Sequence, residues 1–229
     1  MNVSRETLMF SSEQIKNFKK FCSSFQTNIS DEHIQKFWTY TNLLLDWNKR
    51  IHLVSKKDAS TDRIIRHFVD SLSIFKAIEL PDNINILDIG SGAGFPSIPI
   101  KIVRDDVNLT LVESIHKKAL FLLKLCEVLR LRNTFILNQR AENLLEEGNL
   151  ENNFDIVTAK ALGSIDNTAH LGTSFLKARG LLVAYKGKDV QKEIEKINSS
   201  NEYQIKDMVK IEIPEISLLR WLIVIQKPA

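Results

Sequence analysis

Cysteine is scarce in this chain of 229 residues: there are two, Cys22 and Cys126. Both stand among apolar residues in helix-like stretches. The expectation is two buried free thiols in a reducing compartment, not a disulfide scaffold. Long hydrophobic runs are missing too. The longest apolar stretch, 119–126, is broken by Lys124 and falls far short of the roughly 20 residues of a membrane span. The opening MNVSRETLMFSSEQIKNFKK is too polar to read as a secretory leader. These absences lead to the expectation of a soluble, cytoplasmic protein. Charge of one sign is lacking as well: 31 Lys+Arg against 28 Asp+Glu leave a formal +3. With 26% charged and 44% apolar residues, neither a disordered tail nor a supercharged nucleic-acid coat fits. A chain of this length buries about 70% or more of its unfolded surface, so its core needs no metal or disulfide staple.

Two kinds of periodicity divide what is there. Up to about residue 80 the chain reads as helices. Ser11, Ser12, Glu13 and Gln14 offer a capping box, and Ile15, Phe18, Phe21, Cys22 and Phe25 follow at helical spacing. A second helix starts near Ser30-Asp31 with Ile34, Phe37, Trp38, Thr41, Leu44 and Leu45 along one face. Residues 49–60 lose that period and read as a loop, and a third helix is expected over 61–78. From residue 84 short β-branched runs alternate with amphipathic stretches. Strands are expected at 84–89, 109–113, 134–138, 154–161 and 180–186, with helices at 96–104, 115–131, 164–178 and 189–197. Two last strands lie within 203–213 and 218–226. Alternation of this kind means a parallel sheet covered on both faces, with the final pair as an antiparallel hairpin at its edge.

Three of the eight glycines fall in Asp88-Ile-Gly-Ser-Gly-Ala-Gly-Phe-Pro96, between a strand and a helix. Glycine serves where the backbone needs positive φ or where a ligand must come close. Gly90, Gly92 and Gly94 do not make the dinucleotide fingerprint G-x-G-x-x-G, because its last glycine would fall on Phe95. A bulky ring there disfavours a pyrophosphate at the helix start. Glu113 ends the next strand, where a carboxylate can accept hydrogen bonds from both hydroxyls of a ribose. Glycine loop and strand-end acid in this order suit S-adenosyl-L-methionine.

The chain resembles the glucose-inhibited division protein B (RsmG) family of bacterial 16S rRNA guanine-N7 methyltransferases. The residues that carry the resemblance are Trp47-Asn48-Lys49, Arg66-His67-Phe-Val-Asp70-Ser71, DIGSGAGFPSIPIKI (88–102), Glu113-Ser114, Lys117-Lys118, Gln139-Arg140-Ala141-Glu142, FDIVTAKA (154–161) and AYKG (184–187). It implies an α/β fold of the class I, Rossmann-like methyltransferase type. That fold has a mostly parallel seven-stranded sheet, a C-terminal antiparallel hairpin strand and an N-terminal helical extension. The expected organisation is a helical cap over 1–80 on a methyltransferase domain over 81–229. The resemblance also implies cofactor contacts at Gly90, Phe95, Ala141 and Glu142. Where the family pattern has a cofactor-contacting arginine, this chain has Lys160, which keeps the charge but loses the planar fork. After Trp-Asn-Lys the family commonly reads Asn-Leu-Thr; here the residues are His52-Leu53-Val54-Ser55.

Methyl transfer from a sulfonium is an in-line displacement, so alignment is the main requirement. Guanine N7 offers a free lone pair and loses no proton, and no general base is needed. The sequence shows no Ser/His/Asp triad, reactive Cys motif or metal-spaced Cys/His cluster. Asp70 is a candidate acceptor beside the cationic product ring. Residues 49–66 hold six basic and two acidic side chains, and residues 114–140 six basic and one acidic. Such stretches can make a phosphate-binding face. Arg66 and Arg140 are the favoured RNA contacts, His67 a candidate for orienting substrate, and Lys186 a candidate facing the crevice. Trp47 is read as core. The expected partner is 16S rRNA or the small ribosomal subunit, with no membrane and no metal, and the expected state is a monomer. Two rivals stay open: a class I methyltransferase of small molecules or proteins, and a non-catalytic S-adenosylmethionine- or RNA-binding module.

Overall fold

The computed structural model describes residues 9–148, 150–187, 190, 193–194 and 203–229; the helix expected over 189–197 lies largely outside them. The N-terminal helices start where their caps are written. In α1 (Ser12–Ser23), Ser11 Oγ accepts the Gln14 N–H at 3.1 Å while the Ser11 N–H donates to Gln14 Oε1 at 2.9 Å. The pair satisfies two of the N–H groups that a helix start leaves open. In α2 (Asp31–Asn48), Ser30 and His33 make the same reciprocal arrangement. Asn48 then accepts the N–H groups of Leu53 and Val54 at 2.8 and 3.0 Å, which folds the following segment back on the helix end. The expected loop over 49–60 contains only a 3-10 turn, Lys56–Asp58.

The third helix is shorter than its pattern. α3 (Thr61–Leu72) stops at Ser73, whose hydroxyl donates to the Asp70 carbonyl at 2.6 Å, and a single turn, α4 (Ile74–Ala77), follows. A serine that bonds to the preceding turn competes with helix continuation.

Beyond this point the chain alternates: β1 (Asn85–Ile89), α5 (Ser97–Val103), β2 (Asn108–Val112), α6 (His116–Leu129), β3 (Thr134–Leu137), α7 (Ala141–Glu146), β4 (Phe154–Lys160), α8 (Ile165–Phe175), β5 (Leu176–Lys186), β6 (Gln204–Ile213) and β7 (Leu218–Gln226). Two elements depart from expectation. α7 is too short to show a helical period. β5 begins at Leu176, where a helix to 178 was expected, because Leu176 is fully buried opposite Phe154 of β4. Tertiary pairing outweighs local propensity there.

The sheet runs β3-β2-β1-β4-β5-β7-β6. The first five strands are parallel, and β7 pairs antiparallel with both β5 and β6. Alternation along β1 sends Ile86 and Asp88 to one face and Leu87 and Ile89 to the other, so each face has its own buried cluster. The cap joins the first. Its rings Phe18, Phe37 and Phe68 meet at centroid distances of 5.0 and 4.6 Å and share one core with α5 and α6. Trp47 packs edge-on against Phe121 of α6 at 5.7 Å, the core role expected of it. Cys22 and Cys126 are both buried free thiols. Among the described residues no helix is long and apolar enough to cross a membrane.

Candidate active site at the carboxyl ends of the strands

The glycine loop leaves β1 where the strand order reverses between β2-β1 and β4, the position at which open α/β sheets receive ligands. The Gly90 and Ser91 N–H groups both donate to the Val112 carbonyl, at 2.9 and 3.0 Å, and pin the loop to β2. Gly92 and Gly94 serve different purposes. Both have left-handed backbones, φ +55° and +94°. A Cβ on Gly94 would lie 2.8 Å from Ile98 Cγ1 and 2.8 Å from Tyr40 Oη, so this glycine lets the loop pack beneath the cap. A Cβ on Gly92 would meet only the Gly90 carbonyl, at 3.8 Å. Its open side faces the space where a ligand can approach the main chain.

Glu113 follows β2 and is 5% exposed. Its Oε2 accepts the Gly92 N–H and its Oε1 the Ile115 N–H, each at 2.8 Å. The acid is thus fixed against the loop, and each oxygen keeps a further lone pair. Beside it a cleft of about 170 Å³ runs over the strand ends, lined by Gly90, Ser114, Arg140, Ala141, Glu142 and Leu162 among others. Ala141 and Glu142 open α7. The exposed Arg140 stands immediately before them, on this cleft.

A second group lies under the cap. The Phe95 ring is buried, stacked on His67 at 5.0 Å and on Tyr40 at 5.5 Å, both at 23°. Burial, with the Lys160 charge adding to it, lowers His67 to about 4, so its imidazole is neutral at pH 7. Asp70, expected as a free acceptor, is fully engaged. Arg220 of β7 grips it with two hydrogen bonds of 2.9 Å, and Lys160 Nζ lies 2.8 Å from Oδ2. Burial alone raises this carboxyl, but the Lys160 and Arg220 charges outweigh it and hold it at about 2. Both oxygens tie the cap to the sheet, and neither is left for a reacting base. Lys160 accordingly belongs to this ion cluster, with Nζ 5.3 Å from the Phe95 ring centroid. Lys186, expected to face the crevice, is 9% exposed and tied to the Gly163 carbonyl at 2.6 Å and Glu193 at 3.2 Å. It braces the turn after β4. Arg66, half-buried, faces a different hollow, between the cap and the β6–β7 turn.

Arg220 and Tyr40 were missed in the sequence. Arg220 is the one basic residue within the apolar run of β7, a signal that a buried acid waits for it. Tyr40, whose hydroxyl donates to the Ala93 carbonyl, gave no signal beyond its helical position.

Asp88 completes the group. Thr158 Oγ1 donates to its Oδ1 at 2.7 Å, while Oδ2 is buried without a partner. Burial raises this carboxyl to about 7 against those hydrogen bonds. Between pH 4 and 7 the folded protein therefore keeps a proton that the unfolded chain has released, and Asp88 makes stability fall as pH rises. Asp88→Asn is expected to flatten the stability profile across that window. Urea unfolding at closely spaced pH values reads it, and an unchanged slope would show that Asp88 does not titrate there.

The sheet order, the antiparallel β7 and a glycine loop answered by a strand-end acid define a class I methyltransferase. Solved structures of the same fold include a SAM-dependent methyltransferase from Aquifex aeolicus, with a TM-score of 0.54 and 15% identity over 69% of this chain and 89% of that one. Another is M. jannaschii TYW2 in complex with AdoMet, with a TM-score of 0.51 and 15% identity over 73% and 75%. A family model described as rRNA small subunit methyltransferase G (GidB) matches residues 33–219. The ribosomal RNA small subunit methyltransferase G of Syntrophus aciditrophicus is 36% identical over 79% of this chain and 75% of its own length. That of Caldanaerobacter subterraneus is 35% identical over 86% and 81%. The chain belongs to the rRNA small subunit methyltransferase G family and is an enzyme of the methyltransferase class.

Proposed function

We propose that this protein transfers the methyl group of S-adenosyl-L-methionine to N7 of a guanine in 16S rRNA, acting in the cytoplasm on the small ribosomal subunit or its RNA. The observation that carries the reading is Glu113, held against the glycine loop by the Gly92 and Ile115 N–H groups, with its remaining lone pairs free for two ribose hydroxyls. The residues around it fit the rest of the cofactor. Gly92 leaves room for close approach, and Ala141, Glu142 and Leu162 line the cleft where an adenine fits.

When bound, S-adenosylmethionine supplies a methyl group on a positively charged sulfur. The chain's own work is to hold donor and acceptor in line. Guanine N7 gives up no proton, and the ionisable groups under the cap are arranged accordingly. Asp70 is committed to Lys160 and Arg220, so no free base stands there, and His67, neutral at pH 7, adds no charge against a purine that becomes cationic. Phe95, expected as a cofactor contact, supports the loop through its buried stack instead of offering its ring to the cleft. The exposed Arg140 on the cleft supports a role in contacting cofactor, RNA or both.

Chemical mapping of N7-methylguanine in 16S rRNA, with and without the protein and its methyl donor, tests the proposal. A new N7 mark is expected. Methyl incorporation into a small molecule or protein with untouched RNA would move the enzyme to another substrate class. Cofactor binding without transfer would make the chain a binding module.

A further inference from the structure

Arg66 was assigned to RNA from its motif, yet its side chain turns away from the strand ends. It lines a hollow of about 430 Å³ between α1, α3 and the turn that joins β6 to β7. The floor is apolar, Phe21 of α1 and Ile65 of α3, each 7% exposed. Three cations surround it: Lys20 from α1, and Arg63 and Arg66 one turn apart on α3. Among the described residues none of the three makes an ion pair. Arg66 Nε is enclosed by protein and has no acceptor.

The acids nearby do not answer these charges. Asp62 takes the Gln14 side-chain amide at 2.7 Å, a contact that fixes α1 on the start of α3. Asp58, which faces Arg66 and His67, is capped by the Ser55 hydroxyl at 2.5 Å. Glu215 stands on the opposite wall. Arg66 and two more cations that make no ion pair line one hollow over an apolar floor, a surface that an anion complements.

The geometry points to a phosphodiester of the substrate RNA as that anion, bound by Lys20, Arg63 and Arg66 outside the catalytic cleft. The inference rests on the RNA reading above and extends it to a surface that reading does not use. α3 links the two places. Arg66 is followed directly by His67, whose ring stacks on Phe95 next to Gly94. A strand of RNA anchored in the hollow is therefore registered, through one helix, against the glycine loop. Phosphate contacts of this kind position a nucleic acid without reading its sequence.

The test uses the full chain, small ribosomal subunits lacking the methyl mark, and two variants outside the catalytic cleft. Lys20→Gln/Arg63→Gln is expected to keep its S-adenosylmethionine affinity by calorimetry, which also shows that it is folded. Its affinity for subunits is expected to fall about tenfold. The slope of log K against log salt should become shallower by about 1.4, since each single-strand phosphate left without its cation withholds roughly 0.7 counterions from release. Glu215→Lys is expected to act oppositely, with tighter binding and a steeper slope. Wild-type affinity and slope in both variants would overturn the phosphate site while leaving RNA methylation standing. So would weaker binding with an unchanged slope, or an acidic peptide that saturates the hollow yet displaces no RNA. A wild-type protein that neither binds nor methylates subunits would remove the RNA reading itself, and this site with it.

Discussion

Gly92→Val is expected to abolish measurable S-adenosylmethionine binding while leaving most of the fold intact. Two effects act together. Gly92 sits at φ +55°, a left-handed conformation that costs a residue with a Cβ about 1–2 kcal/mol, and a β-branched residue more. The loop can relieve that strain only by turning the Gly92 N–H away from Glu113 Oε2, now 2.8 Å distant, which releases the acid from its fixed position. The added side chain also points into the open space where the nearest protein atom to a Cβ is a carbonyl at 3.8 Å. It meets the ligand and hardly touches the protein. A loss of at least about 100-fold in affinity, near 3 kcal/mol at about 1.4 kcal/mol per tenfold, is the expected size. Titration calorimetry measures it, and a thermal midpoint lowered by only a few degrees separates it from misfolding. The corresponding change at the next glycine behaves differently. Gly94→Val drives a side chain into Ile98 and Tyr40, so the folded state itself suffers. Normal cofactor affinity in Gly92→Val would mean that the ligand lies elsewhere and that Glu113 is merely a loop anchor.

The contrast between these glycines shows what was legible in the sequence. Asp88-x-Gly-x-Gly-x-Gly announced a tight turn after a strand, and alternation of β-branched runs with helices announced a parallel sheet. Both depend on local rules. Which glycine faces open space and which faces Tyr40 depends on how the cap lies on the loop, and no local rule carries that. The same limit explains Asp70 and Lys160. Each stood in a motif and each was read as touching a ligand. Asp70 joins both to Arg220, which lies 150 residues from it on a strand whose antiparallel position brings it under α3. Arg140 shows the reverse. Its neighbours Ala141 and Glu142 line the cleft, but α7 was too short to see, and without it the direction of Arg140 was open.

Asp70→Asn is expected to destabilise the protein by about 3–5 kcal/mol, the usual result of removing one member of a buried ion cluster. The asparagine leaves two cations beneath the cap with no counter-charge. Arg220, 20% exposed in its side chain, can shift its head towards water, whereas Lys160, at 10%, cannot do so easily. The thermal midpoint should fall by roughly 10 °C, at the 2–4 °C per kcal/mol of a chain this size. Lys160→Met in the same background should recover part of the loss, because it removes the charge that was stranded; a double-mutant cycle reads that coupling directly. The pH dependence has a definite sign. The folded Asp70 carboxyl is held at about 2, below its unfolded value of 3.8, so its contribution is complete above pH 4 and disappears as pH falls towards 2. The stability gap between wild type and Asp70→Asn should therefore be constant from pH 5 to 8 and narrow by up to about 2.4 kcal/mol, at about 1.36 kcal/mol per pKa unit, as pH falls from 5 through 2. A gap that does not narrow over that range would assign the loss to packing instead of charge. Catalysis should fall with stability for a structural reason. Asp70 is on the helix that carries His67, and His67 stacks on the ring beside Gly94. A cap released from Arg220 and Lys160 no longer holds that stack, and the loop loses the support that keeps Gly92 and Glu113 in register.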